Sequence, residues 1–428
     1  MYTTTLRLAM ALGLLWSLTA DLFAQDSTEP KIMVIDTISI ERNWRTKASI
    51  VFRELLFQPG DAVTQGQIDT SLQRVWNIGN FATVDHRLDT LEDGRTHLVI
   101  TARDGFTIYP IIAIQGSKQD YRIGLGVEDL NFLGRNIRVR IRAGFNTVGN
   151  ELDLRTEIPR QLLPGNSTLA LGTTFGNRVL SQIERRERQS IVAFQRRSFY
   201  GVVGAPNHQD YRYTVSPNLE FEVFQHQTDR ALLDSTLLEL PHPEEYTYRG
   251  LKLALYESIG TVNSQRLRKD GAMAYLRFGA GIGFNEQSPS FQYAEWGAEY
   301  HKIFNRVLQI STRISGAHTT SEIPSLWYYR GANDIRGYKT GELSGRNIYA
   351  AYVGLHLSYV NTAWFALEHA MYGSWGNGGH HLGDWTQKRH LASVGTSFLM
   401  VCPMASFLRL QFSFTYSGPG GNWFDFQF

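Results

Sequence analysis

The sequence has a single cysteine, Cys402, among its 428 residues. One thiol cannot form an intrachain disulfide, so no disulfide framework supports this fold, even in an oxidising compartment. A catalytic thiol would need a base placed beside it, and none is evident, which favours a small buried or lipid-facing side chain. Excess charge is also absent. Because the formal net charge is only +2, the composition does not indicate a polyanionic partner.

Long hydrophobic runs are scarce. The run Leu8–Leu18 follows Arg7 and precedes the small and polar residues around Leu22–Gln25. This pattern predicts a secretory signal peptide over residues 1–24, cleaved after Ala24, with Ala20 as the second choice. A membrane anchor is the alternative, but it would need about 20 apolar residues. After residue 25 the sequence has no segment apolar enough to predict a transmembrane helix.

Motifs for enzyme chemistry are missing as well. The sequence has no Gly-x-Ser-x-Gly nucleophile elbow, and Gly279–Gly283 lacks the strand-to-helix context of a dinucleotide loop. His380 and His381 are adjacent but have no clear third metal ligand, which favours a hydrated turn. The charge run Glu184–Arg188 is typical of a solvated loop. We therefore predict no enzyme activity, no cofactor, no metal and no nucleic-acid site.

Residues 30–104 have the pattern of a small α+β domain with the order β-α-α-β-β. Alternating apolar residues over Lys31–Ile40 predict a strand, and Thr46–Phe57 has apolar residues at helical spacing. Thr64 can cap a second helix, which Gly79 would end. Two strands joined by a tight turn complete the domain, about Phe81–Leu88 and Arg95–Arg103.

Residues 106–428 show no helical periodicity. Segments of about ten residues recur between turns, and their apolar residues alternate with polar ones. One face of such strands is charged: it would meet water in a soluble sandwich and the lumen in a membrane barrel. The length accommodates about 16 strands of about 9–11 residues. We predict an all-β transmembrane barrel of about 16 antiparallel strands behind the α+β domain.

Two neighbouring segments of this region carry opposite charges. If residues 146–150 form the hairpin tip, Arg142 faces Asp153 and Arg138 faces Glu157. Opposite charges across a ladder stabilise it by about 0.2–1 kcal/mol per pair. The alternative is that each arginine is simply solvated in a wet lumen.

The chain ends in alternating aromatics, Phe424, Phe426 and Phe428. Aromatic residues at strand ends fit the interface girdle of a membrane barrel. A final strand ending in Phe also resembles the C-terminal recognition signal of bacterial outer-membrane proteins.

Four motifs together resemble the BamA-type superfamily of outer-membrane assembly and transport proteins, which includes TamA and the two-partner secretion transporters. Phe57–Asp61, and Ile78–Phe81 followed by Val84, resemble the family's POTRA (polypeptide-transport-associated) domain. Asp129–Asn136 is similar to its early barrel turn. Tyr329–Tyr338 resembles the long loop with the family's arginine-glycine-aromatic signature. The resemblance extends over about 400 residues, nearly all of the chain after the predicted signal peptide.

The resemblance implies a role for the loop motif Ile335, Arg336, Gly337 and Tyr338. In the family this loop folds back into the lumen, where the arginine commonly meets an Asp from a Phe-x-Asp-x-Gly strand. The corresponding stretch here, Trp364–Gly373, has no Asp. The nearest acid in this stretch is Glu368, the candidate loop partner. In a regular strand, however, Glu368 and Gly373 would face opposite sides of the sheet.

The resemblance implies assembly and insertion of outer-membrane proteins, or polypeptide translocation, in a bacterial outer membrane with the POTRA-like domain in the periplasm. The partners would be unfolded outer-membrane or secreted polypeptides, outer-membrane lipid and accessory assembly proteins. Clients would add a strand along the edge residues Phe81, Val84, His86 and Leu88. The seam between the first strand (about Phe106–Ile114) and the last would open laterally. A dedicated exporter of the two-partner kind, and a structural or lipid-handling barrel, are the alternatives.

Overall fold

The computed structural model describes residues 32–427 except 118–119, 147–148, 160–166, 185–186, 205–207, 211–212, 216, 234–238, 266, 332–333, 363, 382–389, 406–408 and 419–420. The predicted signal peptide and Phe428 lie outside the described residues, as do the side chains of Phe424 and Phe426. The helices among the described residues are all too short or too polar to cross a bilayer.

The first unit of the fold, called here the N-terminal unit, extends from Ile32 to Asp104. Its elements are β1 (Ile32–Val34), β2 (Thr37–Glu41), α1 (Ala48–Phe52), β3 (Ala62–Thr64), α2 (Gln65–Asn77), β4 (Phe81–Thr90) and β5 (Thr96–Asp104). β2, β5 and β4 form one sheet in that order, and β1 pairs with β3 in a separate two-stranded sheet. Buried apolar side chains from α2 and β5, including Ile68, Val75, Leu98 and Ile100, fill the core between helix and sheet.

The second helix begins where the sequence predicts. The Thr64 hydroxyl accepts a hydrogen bond from the Gln67 amide at 3.3 Å, and the Gln67 side chain accepts one from the Thr64 amide at 2.8 Å. This reciprocal capping box satisfies two amides that a helix start leaves unpaired. Gly79 follows the helix with φ +80°, the left-handed conformation that suits glycine.

The start of the unit differs from the prediction in two ways. The single strand expected over residues 31–40 is divided into β1 and β2 at Ile35, which is fully buried, and Asp36. The Ile35 amide donates to the Asp61 carbonyl at 3.1 Å, which leaves β1 to pair with the unpredicted strand β3. Helix α1 is also shorter than the expected Thr46–Phe57.

The rest of the described chain is a closed antiparallel barrel. Its wall strands are β6 (Ile108–Ser117), β7 (Asp120–Phe132), β8 (Ile137–Asn146), β9 (Gly149–Ile158), β10 (Thr168–Glu184), β11 (Glu187–Gly204), β14 (Asn218–Thr228), β15 (Thr247–Gln265), β16 (Arg268–Gly283), β17 (Phe291–Ile303), β18 (Leu308–Thr319), β21 (Asn347–Asn361), β22 (Ala366–Gly379), β23 (Leu391–Val401), β24 (Arg409–Ser417) and β25 (Gly421–Gln427). The short strands β12 (His208–Asp210) and β13 (Tyr213–Val215) lie between β11 and β14. These sixteen wall strands confirm the predicted fold class, an all-β barrel preceded by a small α+β unit.

The barrel is apolar outside and polar inside. On β23, Val394 and Phe398 are 60% and 40% exposed, whereas Ser393 and Ser397 on the other face are buried. Along β7 and β8, Leu125 and Phe145 are exposed in the same way. A water-soluble fold has the reverse arrangement, so the polar positions of the alternating pattern line the lumen.

The lumenal charges on β8 and β9 have the predicted register but a different pairing. Arg138 lies opposite Glu157 and Arg142 opposite Asp153. Arg138 does pair with Glu157, at 3.7 Å. Arg142 pairs instead with Glu151 at 2.9 Å, and Asp153 accepts from Arg140. In an antiparallel ladder, a long arginine side chain can reach the diagonal neighbour as well as the residue directly opposite. The prediction considered only residues that are directly opposite each other.

Candidate functional site: a loop that crosses the barrel lumen

The segment between β18 and β21 folds into the barrel and is called here the lumenal loop (residues 320–346). It contains a turn of 3-10 helix over Pro324–Leu326 and a small hairpin formed by β19 (Tyr328–Arg330) and β20 (Leu343–Gly345). On one side of the lumen, the Gly341 carbonyl accepts from the Ile183 amide of β10 at 3.1 Å. On the opposite side, the loop contacts β22 to β24. The loop therefore bridges the lumen from wall to wall.

Arg336 is held at the far end of this bridge by hydroxyl groups and aromatic rings. Its amide donates to Ser374 Oγ and its Nη1 donates to Ser397 Oγ, both at 3.2 Å. The guanidinium carbon lies 4.3 Å from the centre of the Tyr372 ring and 5.7 Å from that of Tyr352. A guanidinium over a ring face at this distance contributes about 0.5–2 kcal/mol. Arg336 thus has a defined lumenal seat.

The neighbours of Arg336 shape that seat. Ile335 is fully buried, packed with Ile348 and other apolar side chains. Gly337 has φ +81°, and a Cβ there would lie 2.7 Å from Thr415 Cγ2, so both conformation and space require glycine. Tyr338 donates its hydroxyl to the Ala392 carbonyl at 2.9 Å. The four motif residues named from the sequence therefore form one contact region on β21 to β24.

Glu368 has a different partner from the one the resemblance implied. Its carboxylate accepts from His356 Nδ1 at 2.8 Å, whereas the contacts described for Arg336 are with hydroxyls and rings. Glu368 lies on the inward face of β22, as Tyr372 and Ser374 do, and is two residues from Ala370, which is opposite Ser397 in the β22–β23 ladder. Met371, two residues before Gly373, where the Asp of the Phe-x-Asp-x-Gly pattern would be expected, is 42% exposed on the outer face.

A second attachment of the loop was not identified from the sequence. Arg330 of β19 lies 3.6 Å from Glu295 and 3.5 Å from Asp334. Arg277 also pairs with Glu295, at 3.2 Å, and with Glu220 at 2.9 Å. Alternation on the three wall strands could have marked these acids and Arg277 as lumenal. Their proximity to the loop depends on strand register, which periodicity alone does not provide.

A cavity of about 450 Å³ remains between this network and the wall. Charged side chains from β10 to β17 line it, together with tyrosines and Arg330 of the loop; examples are Arg196, Glu222, Lys252 and Tyr328. The lumen is therefore polar and partly open beside the loop.

The predicted client-binding edge is on β4, which is the last strand of its sheet. Phe81 and Val84 are both 6% exposed and pack into the core, so their side chains are not available at the surface. His86 is half-buried beside Gln65, and Leu88 is 40% exposed. An added strand would therefore bind mainly through the β4 backbone.

The N-terminal unit is docked against one mouth of the barrel. Near the first strands, Arg45 pairs with Asp129 at 2.6 Å, and Asn80 donates to Asn136 at 2.9 Å. At the β15–β16 turn, farther around the rim, Asn77 donates to the Asn263 side chain at 3.0 Å. Because these contacts are on separated parts of the rim, the unit extends across that mouth.

The barrel closes between its last and first strands, β25 and β6. The described β25 has 7 residues, whereas β10 and β11 have 17 and 18. A ladder cannot be longer than its shorter strand, so the closing seam has fewer backbone pairs than the β10–β11 hairpin. The loop seat on β22 to β24 lies beside this seam.

These features define the class of the protein: a closed β-barrel whose lumen is crossed by a tethered loop, with a small α+β unit at one mouth. No protein-family model matches the chain, and no curated protein matches it. The structure is similar to CdiB from Escherichia coli, with TM-score 0.58 and 12% identity over 92% of this chain and 74% of that one. It is also similar to CdiB from Acinetobacter baumannii, with TM-score 0.55 and 13% identity over 90% and 70% of the two chains. For BamA from Haemophilus ducreyi lacking POTRA domains 1–3, the TM-score is 0.49 and the identity is 15%. That match covers 92% of this chain and 83% of the BamA chain. At these identities the likeness to the two CdiB structures is one of fold.

Proposed function

We propose that this protein lies in the outer membrane of a bacterial cell and assists other polypeptides there, by inserting β-barrel proteins or by translocating a polypeptide. The proposal includes membership of the BamA-type superfamily, a POTRA-like role for the N-terminal unit, and an N-terminal signal peptide over residues 1–24 that exports the chain. The observation that carries it is the lumenal loop, seated through Arg336 on β22 to β24, near the seam between the last and first strands.

The outer surface supports the membrane location. Exposed side chains such as Leu125, Phe278 and Val353 are apolar, whereas Ser393 and Ser397 on the opposite face of β23 are buried and turned to the lumen. In a closed barrel every backbone group of the wall can be paired, as a hydrocarbon environment requires. The N-terminal unit would then lie at the periplasmic mouth.

The N-terminal unit offers a way to receive clients without sequence specificity. The outer edge of β4 can pair with an extended chain through backbone hydrogen bonds, a mode that tolerates many sequences. Photo-crosslinking tests this step directly. A photoreactive group at Leu88 should capture an unfolded outer-membrane protein, whereas the same group at Glu92, in the β4–β5 turn, should capture little. Equal capture at both positions would contradict edge binding.

The short seam suggests how a client strand could enter the membrane. The described β25 has only 7 residues, so the wall there has few backbone pairs to separate on opening, and the loop seat on β22 to β24 is close enough to respond. No nucleotide-binding motif occurs in the sequence, so folding of the client itself would drive the process.

Reconstitution distinguishes the two forms of the proposal. Liposomes that contain the purified protein should accelerate the folding of a urea-denatured β-barrel protein if the function is insertion. A conductance that opens only when a client polypeptide is added, without faster folding, would instead indicate export. If well-folded protein gives neither effect, the proposal is wrong and a structural or lipid-handling barrel becomes the better hypothesis.

A further inference from the structure

We propose that the N-terminal unit touches the membrane itself, through a basic-aromatic foot that inserts into the periplasmic leaflet. The foot consists of the loop Arg42–Lys47 and the barrel turn Phe132–Arg135, and its partner is the boundary between anionic phospholipid headgroups and acyl chains. This inference rests on the proposed membrane location, because it concerns the lipid next to the barrel.

The two parts of the foot are fixed to each other at the rim of the barrel. The Lys47 amide donates to the Gly134 carbonyl at 2.9 Å, and Asn131 Nδ2 donates to Thr46 Oγ1 at 2.8 Å. Gly134 is packed so closely that a Cβ there would overlap the Arg45 carbonyl oxygen. Loop and turn therefore lie at the same height relative to the barrel wall.

The foot exposes large apolar side chains. Trp44 is 69% exposed, Leu133 is 65% exposed and Phe132 is 42% exposed. Clustered exposure of this kind marks a surface that contacts another phase or molecule. The surface continues onto the outward face of β7, where Leu125 and Val127 are 55% and 42% exposed. That face is the part of the wall that lipid covers in the proposed location.

The backbone is bent to present this surface. Among the described residues other than glycine, positive φ angles occur at Arg42 (66°), Leu133 (57°) and Asn136 (57°). Such angles are uncommon for a bulky residue such as Leu, and they persist only where surrounding contacts enforce them. Here the Asn136 amide donates to Asn131 Oδ1 at 2.7 Å, which holds the turn. All three residues lie in or directly beside the foot.

The charges of the foot fit an anionic lipid surface. Arg42, Lys47 and Arg135 are exposed. The two carboxylates at the junction are engaged within the protein: Asp129 pairs with Arg45, and Asp104 accepts from the backbone and hydroxyl of Thr46. Basic side chains around an exposed tryptophan are the composition that binds the headgroup region of anionic bilayers.

Other turns at the same rim of the barrel also expose aromatic side chains. Phe304, Trp364 and Phe365 are 58%, 60% and 43% exposed at the β17–β18 and β21–β22 turns. Aromatic residues collect at this depth in membrane proteins because their rings suit the interface. Trp44 extends this belt from the barrel onto the N-terminal unit, which favours lipid over a protein partner.

The test measures the environment of single cysteines in the full protein. In a Cys402→Ser background, an environment-sensitive fluorophore is attached at Trp44→Cys or, as an independent variant, at Leu133→Cys. The matched control on the same unit is Glu92→Cys, which β4 places about 30 Å from the barrel junction. A fourth variant, Val127→Cys, reports insertion of the barrel wall. Each is reconstituted in phosphatidylethanolamine vesicles with or without phosphatidylglycerol.

At positions 44 and 133 we expect spin-labelled lipid to quench the fluorophore. We also expect iodide, a water-soluble quencher, to quench it roughly threefold less than at position 92, because an interfacial residue is buried about 5–10 Å deep. Phosphatidylglycerol should strengthen both effects. Iodide quenching at 44 and 133 as strong as at 92, with lipid quenching at 127, would overturn the foot and leave the membrane location intact. Protection from iodide without lipid quenching would mean that protein covers the patch, which also overturns it. Loss of lipid quenching at 127 would overturn the membrane location as well.

Discussion

Replacing Arg336 by Met should loosen the lumenal loop, because Met keeps much of the side-chain length but removes the charge. The change deletes the hydrogen bond to Ser397 Oγ at 3.2 Å, worth about 1.5–3 kcal/mol for a charged donor. It also deletes the interaction with the Tyr372 ring at 4.3 Å, worth about 0.5–2 kcal/mol. Together we expect a loss of about 2–5 kcal/mol in the free energy of loop release, or roughly 30- to 4,000-fold in its equilibrium constant.

The release of the loop can be followed by thiol labelling at Ser344→Cys in a Cys402→Ser background. Ser344 is 8% exposed on β20, so a cysteine there reacts only when the loop leaves its seat. When reclosing is fast, the labelling rate follows the population of the open state. Arg336→Met should raise this rate by the factor above, provided that the barrel remains folded.

The matched control is Glu368→Gln. Since Glu368 pairs with His356 at 2.8 Å, and Arg336 is held by hydroxyls and rings, this change should alter the labelling rate much less than Arg336→Met. An increase below about threefold for Arg336→Met would refute the loop seat. An equal increase for Glu368→Gln would show that a carboxylate anchors the arginine after all.

Three further predictions concern other parts of the structure. Thr64→Ala should speed hydrogen exchange in α2 by weakening its capping box, an effect of about 1 kcal/mol; unchanged exchange would contradict the cap. In a double-mutant cycle, Arg142→Met and Glu151→Gln should show a coupling of about 0.5–3 kcal/mol in barrel unfolding, since these side chains are in contact; additive effects would indicate separately solvated charges. A thiol crosslinker between Asn77→Cys and Asn263→Cys should hold the N-terminal unit across the mouth and slow the handling of clients. Undiminished activity after complete crosslinking would show that the unit need not move.

Local signals predicted much of this architecture. The Thr64 cap depends on residues at the start of one helix. Short-range periodicity predicts the strand alternation of the barrel and the register that places Arg138 opposite Glu157. The lumenal loop around Arg336 was implied by the resemblance of its arginine-glycine-aromatic motif to a family signature. Each of these features is encoded within a few neighbouring residues.

The features that sequence reasoning missed depend on tertiary contacts. Strand β3 pairs with β1, a segment about thirty residues away in the chain. The Arg330 network joins a loop to strands whose neighbours are set by barrel closure. The contacts of Arg336 on β22 and β23 likewise depend on how far the loop reaches, which no local pattern specifies.

The most direct test of the central claim is the rate at which a urea-denatured β-barrel protein folds into liposomes. Liposomes with the natural protein should give faster folding than empty ones, and Arg336→Met should reduce the acceleration although its barrel is folded and inserted. Folding that is no faster with correctly inserted natural protein than in empty liposomes, and no client-dependent conductance, would contradict the claim that this barrel assists other polypeptides.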